Sequence, residues 1–545
     1  MPDERDKDFD DATLFLGSYG PFQIALMLLL SIFIIPSGYM GVVFVFVSDT
    51  PEFHCKVNET WNSSYVTFTE RSSSVGPDGC SKYKERLNLT KASLSSDTEV
   101  CEDGWEFSKD IYTTTIVSEW ELVCNNAWKV PFSSSLYFVG VLTGSFVCGN
   151  LADRFGRKPV LFFTMAIQCV TTLIQAASVN WVMFTTLSCL RGFGLTSSFT
   201  TALILGSEVL RPKVRMTYTL VLSVGFGLGY AVLPLFGYFI RNWRMLLVAC
   251  SIPGFLVMPL WWVVPESPRW LLQKNRFKKA ESIICKVAKM NRVPTPDVIF
   301  TSKEHLDQMK SNKDKSDSYT CLDLVRTSNI RIITLMGTFI WFTCILVFSG
   351  LSLNTSNLNG NKYLNCFISA VTDIAAYVLT WFLVSRVSRP IFLFASLMFC
   401  GILLLIIQLV PDEMDAVFQA LALSGRMGIS AAYTFTNVFF IELMPTVIRN
   451  TGLGFFSTSG RISSILCPYI IFLGMYNKLT PYIVFGSMSV MASIFTLFLP
   501  DTRDIKLPDL INQMQPVRRP FCPKKCTSTY SHNLKTEEVG MSSLC

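Results

Sequence analysis

One recurrence constrains this 545-residue chain more than any other feature. Twelve predominantly apolar runs follow one another, at 22–47, 131–151, 159–177, 181–206, 216–239, 243–264, 331–353, 363–385, 389–410, 414–442, 449–474 and 480–499. A helix needs about 20 such residues to cross a hydrocarbon core, and the runs are about that long. Helices lying on a soluble core would repeat a polar stripe; these runs do not. Only 16% of residues are charged, against about 25% in soluble domains. Lipid leaves no partner for a loose backbone amide, so a spanning run of this kind has to be helical. The expectation is an all-α integral membrane protein of twelve transmembrane helices.

Charge gives the orientation. The opening "MPDERDKDFDD" is acidic, so no cleavable signal peptide is expected and the first span serves as the insertion signal. Cations gather in alternate loops, "DRFGRK", "RPKVR", "KNRFKKAESIICKVAKMNR", "SRVSR" and "VRRPFCPKK". The positive-inside rule then puts both termini in the cytosol. The formal net charge of +7 therefore reports topology, not a nucleic-acid surface.

The chain divides into a cytoplasmic N-terminus (1–21), a six-span half (22–264) with a long outer loop (48–130), a cytoplasmic loop (265–330), a second six-span half (331–499) and a cytoplasmic tail (500–545). The outer loop carries glycosylation sequons at Asn58, Asn62 and Asn88, and a fourth, Asn354, follows span seven. It also holds Cys55, Cys80, Cys101 and Cys124. In an oxidising compartment these four make two disulfides, with three pairings open.

The two halves repeat. Glu208 maps onto Glu442, Arg215 onto Arg449 and Gly194 onto Gly428 at one offset of 234 residues. "PESPR" after span six answers "PDTR" after span twelve. Two six-span halves in parallel repeat are the architecture of major-facilitator transporters, which rock their halves about a site near the midplane. The charges at the cytoplasmic helix ends, Asp153, Arg154, Arg157, Glu208, Arg215, Glu266, Arg269, Glu442 and Arg449, then form a gate that joins the halves in one state and parts in the other. The alternative is that they only fix topology.

"GNLADRFGRK" resembles the G-x-x-x-D-R-x-G-R-K signature of the major facilitator superfamily. More specifically, "CEDGWEFSKDIYTTTIVSEWELVC", "VLPLFGYFIRNWRMLL", "VPESPRWLL", "GLSLNTSNLNGN", "ELMPTVIRNTG" and "ILCPYIIFLGMYNKLTPYI" resemble the organic cation/anion/zwitterion transporters, nearest their organic cation/carnitine branch. The likeness runs over essentially the whole chain. It implies a plasma-membrane carrier of small organic ions. It also implies an acid at Asp373, usually Glu, and at Arg461 an arginine shared with carnitine-type and anion-type members, where cation members have an acid.

A charge at mid-bilayer costs about 2.5–3.5 kcal/mol on insertion scales, so it marks function. Asp373 and Arg461 fall near the middle of spans eight and eleven. Either they face each other as a structural pair, or they read a substrate's charges. A zwitterion suits the second reading. Arg461 would grip its carboxylate, and Tyr137, Tyr230, Trp341 and Tyr433 would offer ring faces to its ammonium. Gln168 and Gln175 share a face of span three and would line the cavity or bond between helices. Arg191 and Arg426 also fall inside spans.

Sodium is the candidate coupling ion through the resemblance. Ser37 and Ser198 stand where sodium-coupled members carry asparagine, and a hydroxyl is the weaker hard-cation ligand; Asn437 and Phe439 stand where those members carry tyrosine. No phosphate-cradling G-x-x-x-x-G-K-[ST] loop, zinc spacing or membrane histidine occurs; His54, His305 and His532 all lie outside the spans. "GFGLGY" is a helix-packing pattern at Gly225 and Gly229, not a dinucleotide fingerprint. The chain is expected not to be an enzyme. The alternatives to a zwitterion or cation carrier are an organic anion carrier using Arg461 and Arg191, and a transporter-like sensor without flux.

Overall fold

A computed structural model describes residues 14–56, 80–83, 98–294, 321–502 and 514–517, except Ser18, Glu102, Asn359, Ser385, Asp412 and Thr446. Asn58, Asn62 and Asn88 lie outside the described residues. All twelve expected spans are helical. They are α1 (Pro21–Val42, continued by Phe44–Val47), α2 (Lys129–Phe155), α3 (Arg157–Ala176), α4 (Trp181–Val209), α5 (Pro212–Phe239) and α6 (Trp243–Leu256), then α7 (Ser328–Leu353), α8 (Lys362–Leu383), α9 (Arg389–Ile406), α10 (Asp415–Leu443), α11 (Arg449–Phe472) and α12 (Thr480–Leu497). Among the described residues, ten of these segments are by themselves long and apolar enough to cross a membrane. The other two, α4 and α10, carry Arg191 and Arg426 and lie inside the bundle, sheltered by their neighbours.

Each half packs around its own apolar core. In the first, α2 and α3 close on α4, and α1 lies along α5. In the second, α9 packs between α10 and α12, and α7 lies along α11. The halves meet where α5 runs beside α8 and α2 beside α11. Small residues permit the closest approaches: a Cβ on Gly229 would sit 2.1 Å from the Ile35 carbonyl, and one on Gly225 2.3 Å from Ser31 Oγ. Those two glycines therefore seat α5 against α1.

The outer loop is not helical throughout. Two antiparallel ribbons form in it, Phe53–Cys55 with Trp105–Phe107 and Ser81–Tyr83 with Thr98–Val100. Its disulfides are Cys55–Cys101 and Cys80–Cys124. Glu119 fastens the loop to α6 through Trp243 Nε1 (2.7 Å) and Arg244. At the inner face, helix Phe277–Asn291 anchors the start of α1: Phe22 N donates to Asn291 Oδ1 (3.0 Å), and Asn291 Nδ2 to Gln23 Oε1 (2.9 Å). The Asn354 sequon needs correction. Its amide is buried and donates to the Tyr482 hydroxyl at 2.8 Å, so the side chain is committed to packing rather than presented for glycosylation.

Candidate substrate cavity and gates

The halves line a cavity of about 180 Å³ between them. The first half contributes Tyr137 from α2, Phe199 from α4, and Phe226 and Tyr230 from α5. The second contributes Phe348 from α7, Asp373 and Tyr377 from α8, Arg426 and Tyr433 from α10, and Arg461 from α11. Five expected site residues, Tyr137, Tyr230, Tyr433, Asp373 and Arg461, thus share one wall-lined space.

Two others lie elsewhere. Trp341 packs on Phe456 (ring centroids 5.9 Å) and Phe440 (5.6 Å) within the second half's core. Gln168 is fully buried within the first half; its Oε1 accepts from Ser37 Oγ (3.3 Å) and Ser198 Oγ (3.5 Å), and its Nε2 lies 2.9 Å from the Met40 sulfur. Gln175 donates to Ser188 Oγ at 2.6 Å. Both glutamines bond between helices.

Of the two readings of Asp373 and Arg461, a structural pair or two readers of substrate charge, the pair is not what forms. Asp373 does not face Arg461. Arg426 grips it with a two-pronged fork, Nε to Oδ1 at 3.1 Å and Nη2 to Oδ2 at 2.6 Å, and Ser430 Oγ donates to Oδ1 at 2.6 Å. A carboxylate so satisfied, 2% exposed, is held structurally. Arg426 also lies over the rings of Tyr230 (5.3 Å) and Phe348 (5.7 Å). Arg461 is half-buried in the cavity wall, and its Nε is buried without a hydrogen-bond partner among the described residues. The signal for Arg426 was present in the sequence as a charge inside an apolar run, which has to find a partner.

Where α2 meets α3 and where α8 meets α9, each half builds the same charged turn. Gly156 ends α2 at φ +110°, a backbone that side chains rarely adopt. The N–H groups of Arg157 and Lys158 that follow donate to Glu266 Oε1 (3.0 and 3.2 Å), as does Ser267 N (3.0 Å). A helix N-terminus has such N–H groups to spare and favours negative charge. Burial pushes the Glu266 carboxyl up, and these N–H groups and Arg157 pull it back. The Arg157 guanidinium forks onto Glu208 (2.9–3.2 Å) and reaches Asp153 (2.6 Å). Trp270 of the "PESPRWLL" turn donates to the Asp153 carbonyl at 3.0 Å.

The second half repeats the scheme with Arg389, Glu442 and Asp501. Arg389 donates to Glu442 (3.0 and 3.3 Å), and Arg389 N and Ser388 Oγ donate to Asp501 (3.3 and 2.5 Å). Arg215 Nε bonds the Leu210 carbonyl and Arg449 Nε that of Met444, each at 3.2 Å. Arg154 is exposed over Phe155, and Arg269 sits on the short helix Pro268–Gln273. The pairs of Arg157 with Glu208 and Asp153, and of Arg389 with Glu442, each close within one half. Arg389 and Asp501 were missed because their spacing from Glu442 differs slightly from that of Arg157 and Glu266 from Glu208.

The bridge lies on the outer side. Lys362 Nζ at the start of α8 donates to Asp49 Oδ2 beyond α1, at 2.5 Å. Tyr363 stacks on Phe46 (5.5 Å) and donates to the Ile111 carbonyl (3.2 Å). These contacts join the two halves on that side.

Twelve helices in two repeated halves around such a cavity define a secondary transporter of the major facilitator type. The family model described as "Sugar (and other) transporter" matches residues 125–510. The Escherichia coli xylose transporter XylE, in its inward-open conformation, superposes with a TM-score of 0.60 over 90% of this chain and all of that one, at 15% identity. Organic cation/carnitine transporter 2 is 44% identical in Rattus norvegicus, over 94% of this chain and 95% of that protein, and 43% identical in Homo sapiens over the same shares. Solute carrier family 22 member 4 of Mus musculus is 43% identical, over 96% of this chain and 97% of its own length. The chain belongs to the organic cation/carnitine transporter family, and it is a multi-pass membrane transporter rather than an enzyme.

Proposed function

We propose that this protein carries small organic zwitterions, bearing a quaternary ammonium and a carboxylate, across the plasma membrane by alternating access. One observation carries the reading: Arg461 lines the cavity with no protein carboxylate paired to it among the described residues, while Asp373 is already saturated by Arg426 and Ser430. A substrate carboxylate satisfies Arg461 with charge-assisted hydrogen bonds. The ammonium is left to ring faces. Tyr230 and Phe348 already face Arg426, so Phe226, Tyr377 and Tyr433 are the better surfaces for it.

A second reading, an organic anion carrier, draws on the same imbalance, one carboxylate against two guanidiniums on the wall. Uptake of labelled L-carnitine, tetraethylammonium and benzoate in expressing cells separates the two. Saturable carnitine uptake above the other two supports the zwitterion reading. Benzoate uptake alone supports the anion reading, and tetraethylammonium uptake alone overturns both. Repeating the series without sodium reports whether sodium is the coupling ion.

A further inference from the structure

Arg191 on α4 is completely buried, yet no carboxylate reaches it among the described residues. The buried arginine of the other half is Arg426 on α10, one residue out of register with Arg191 at the 234-residue offset. That guanidinium is neutralised by Asp373. Arg191 instead donates through Nη1 to the amide oxygen of Gln175 at 3.0 Å. The Gln175 amide nitrogen is used on Ser188 Oγ (2.6 Å) and the Phe184 carbonyl (3.2 Å), which fixes its oxygen toward Arg191. Nε and Nη2 of Arg191 have no hydrogen-bond partner among the described residues. What otherwise holds the cation is two ring faces, Phe44 at 4.6 Å and Tyr137 at 5.2 Å. A guanidinium does not give up its proton in a protein, so the positive charge stays.

Tyr137 is also part of the cavity wall, with Arg461. One uncompensated guanidinium therefore stands at the wall and a second stands one ring behind it. Resting on the substrate reading above, we propose that Arg191 is a specificity-determining residue that sets the charge selectivity of the cavity. It holds the Tyr137 side at positive potential, so that an accepted substrate has to bring a negative group. It also occupies the Tyr137 ring as a cation partner, which steers the ammonium to the opposite wall. The two halves divide the labour. The arginine of α10 is neutralised and braces the site, and the arginine of α4 is left charged and filters substrates.

The test compares Arg191→Leu, Arg191→Lys and Gln175→Glu with the wild type. Gln175→Glu places a carboxylate against Arg191 and cancels its charge without removing it. The readout is the ratio of kcat/KM for L-carnitine to that for tetraethylammonium, normalised to surface protein. At an interior effective dielectric, a unit charge at this remove changes the ratio by about tenfold. The ratio is expected to fall by about that factor in Arg191→Leu and Gln175→Glu and to hold in Arg191→Lys. Both substrates falling together at a constant ratio would overturn the proposal and leave Arg191 as packing. Should the wild type carry no carnitine, the substrate reading fails separately. Competition of benzoate against tetraethylammonium for the purified protein then decides. A benzoate preference lost in Gln175→Glu supports the role of Arg191, and one unchanged overturns it.

Discussion

Asp373 is bound by Arg426, not by Arg461, and that choice of partner sets the chemistry of the cavity. The acid that might have bound an organic cation is spent inside the protein. Arg461, without that acid as partner, lines the cavity.

Removing the Arg426 side chain strands a buried carboxylate. Arg426→Leu is expected to destabilise the protein by about 3–5 kcal/mol, as loss of one partner of a buried pair does. The double variant Asp373→Asn/Arg426→Leu should recover most of that, because no charge is left unpaired. Thermal unfolding of purified protein in detergent checks the order.

The outer bridge should behave asymmetrically. Asp49 is the more deeply buried partner of Lys362. Lys362→Met leaves a buried charge alone and favours the outward-open state; Asp49→Asn removes the buried charge, leaves a lysine that can reach water, and does not. Labelling of Ser48→Cys by an impermeant maleimide reports opening, with the wild type as background. Lys362→Met is expected to label fastest.

That bridge also has a pH dependence of definite sign. Burial pushes the Asp49 carboxyl above the usual carboxylate range, although Lys362 and Tyr112 pull it down and Tyr363 lies nearby. The closed state thus holds a proton more tightly than the open, hydrated state. Acid outside therefore favours the closed state, and the effect disappears as pH rises through the raised pKa. Ser48→Cys labelling should slow as the medium is acidified, after correction for the reactivity of the maleimide.

Gly156 is required by its backbone. A Cβ there would lie 2.6 Å from Glu266 Oε2, at φ +110°. Gly156→Ala is expected to lose about 1–3 kcal/mol of stability. Surface expression and thermal unfolding read it, and Gly149→Ala, where a Cβ meets nothing within 4 Å, is the control.

Much of the fold was legible because lipid leaves few choices. Runs of about twenty apolar residues become helices, and the shared offset of Glu208/Glu442 and Arg215/Arg449 revealed the repeat. Depth in the membrane was legible too, which is why Asp373, Arg461 and three tyrosines come together. Rotation about the helix axis was not. A helix that is apolar on every side shows no face that points inward. Trp341 and Gln168 have suitable chemistry at suitable depth but turn into their own halves. Two arginines at similar depth left the partner of Asp373 undecided. The cytoplasmic charges announced a conserved scheme within the chain, but spacing alone does not say whether a pair closes within a half or between halves.

The most direct test concerns the unpartnered nitrogen of Arg461. Uptake of L-carnitine is compared with that of its methyl ester, which keeps the ammonium and masks the carboxylate, in wild type and in Arg461→Gln. The account predicts that the wild type strongly prefers the free carboxylate and that Arg461→Gln loses this preference. Equal uptake of acid and ester by the wild type, or a preference that survives in Arg461→Gln at normal surface expression, would contradict it.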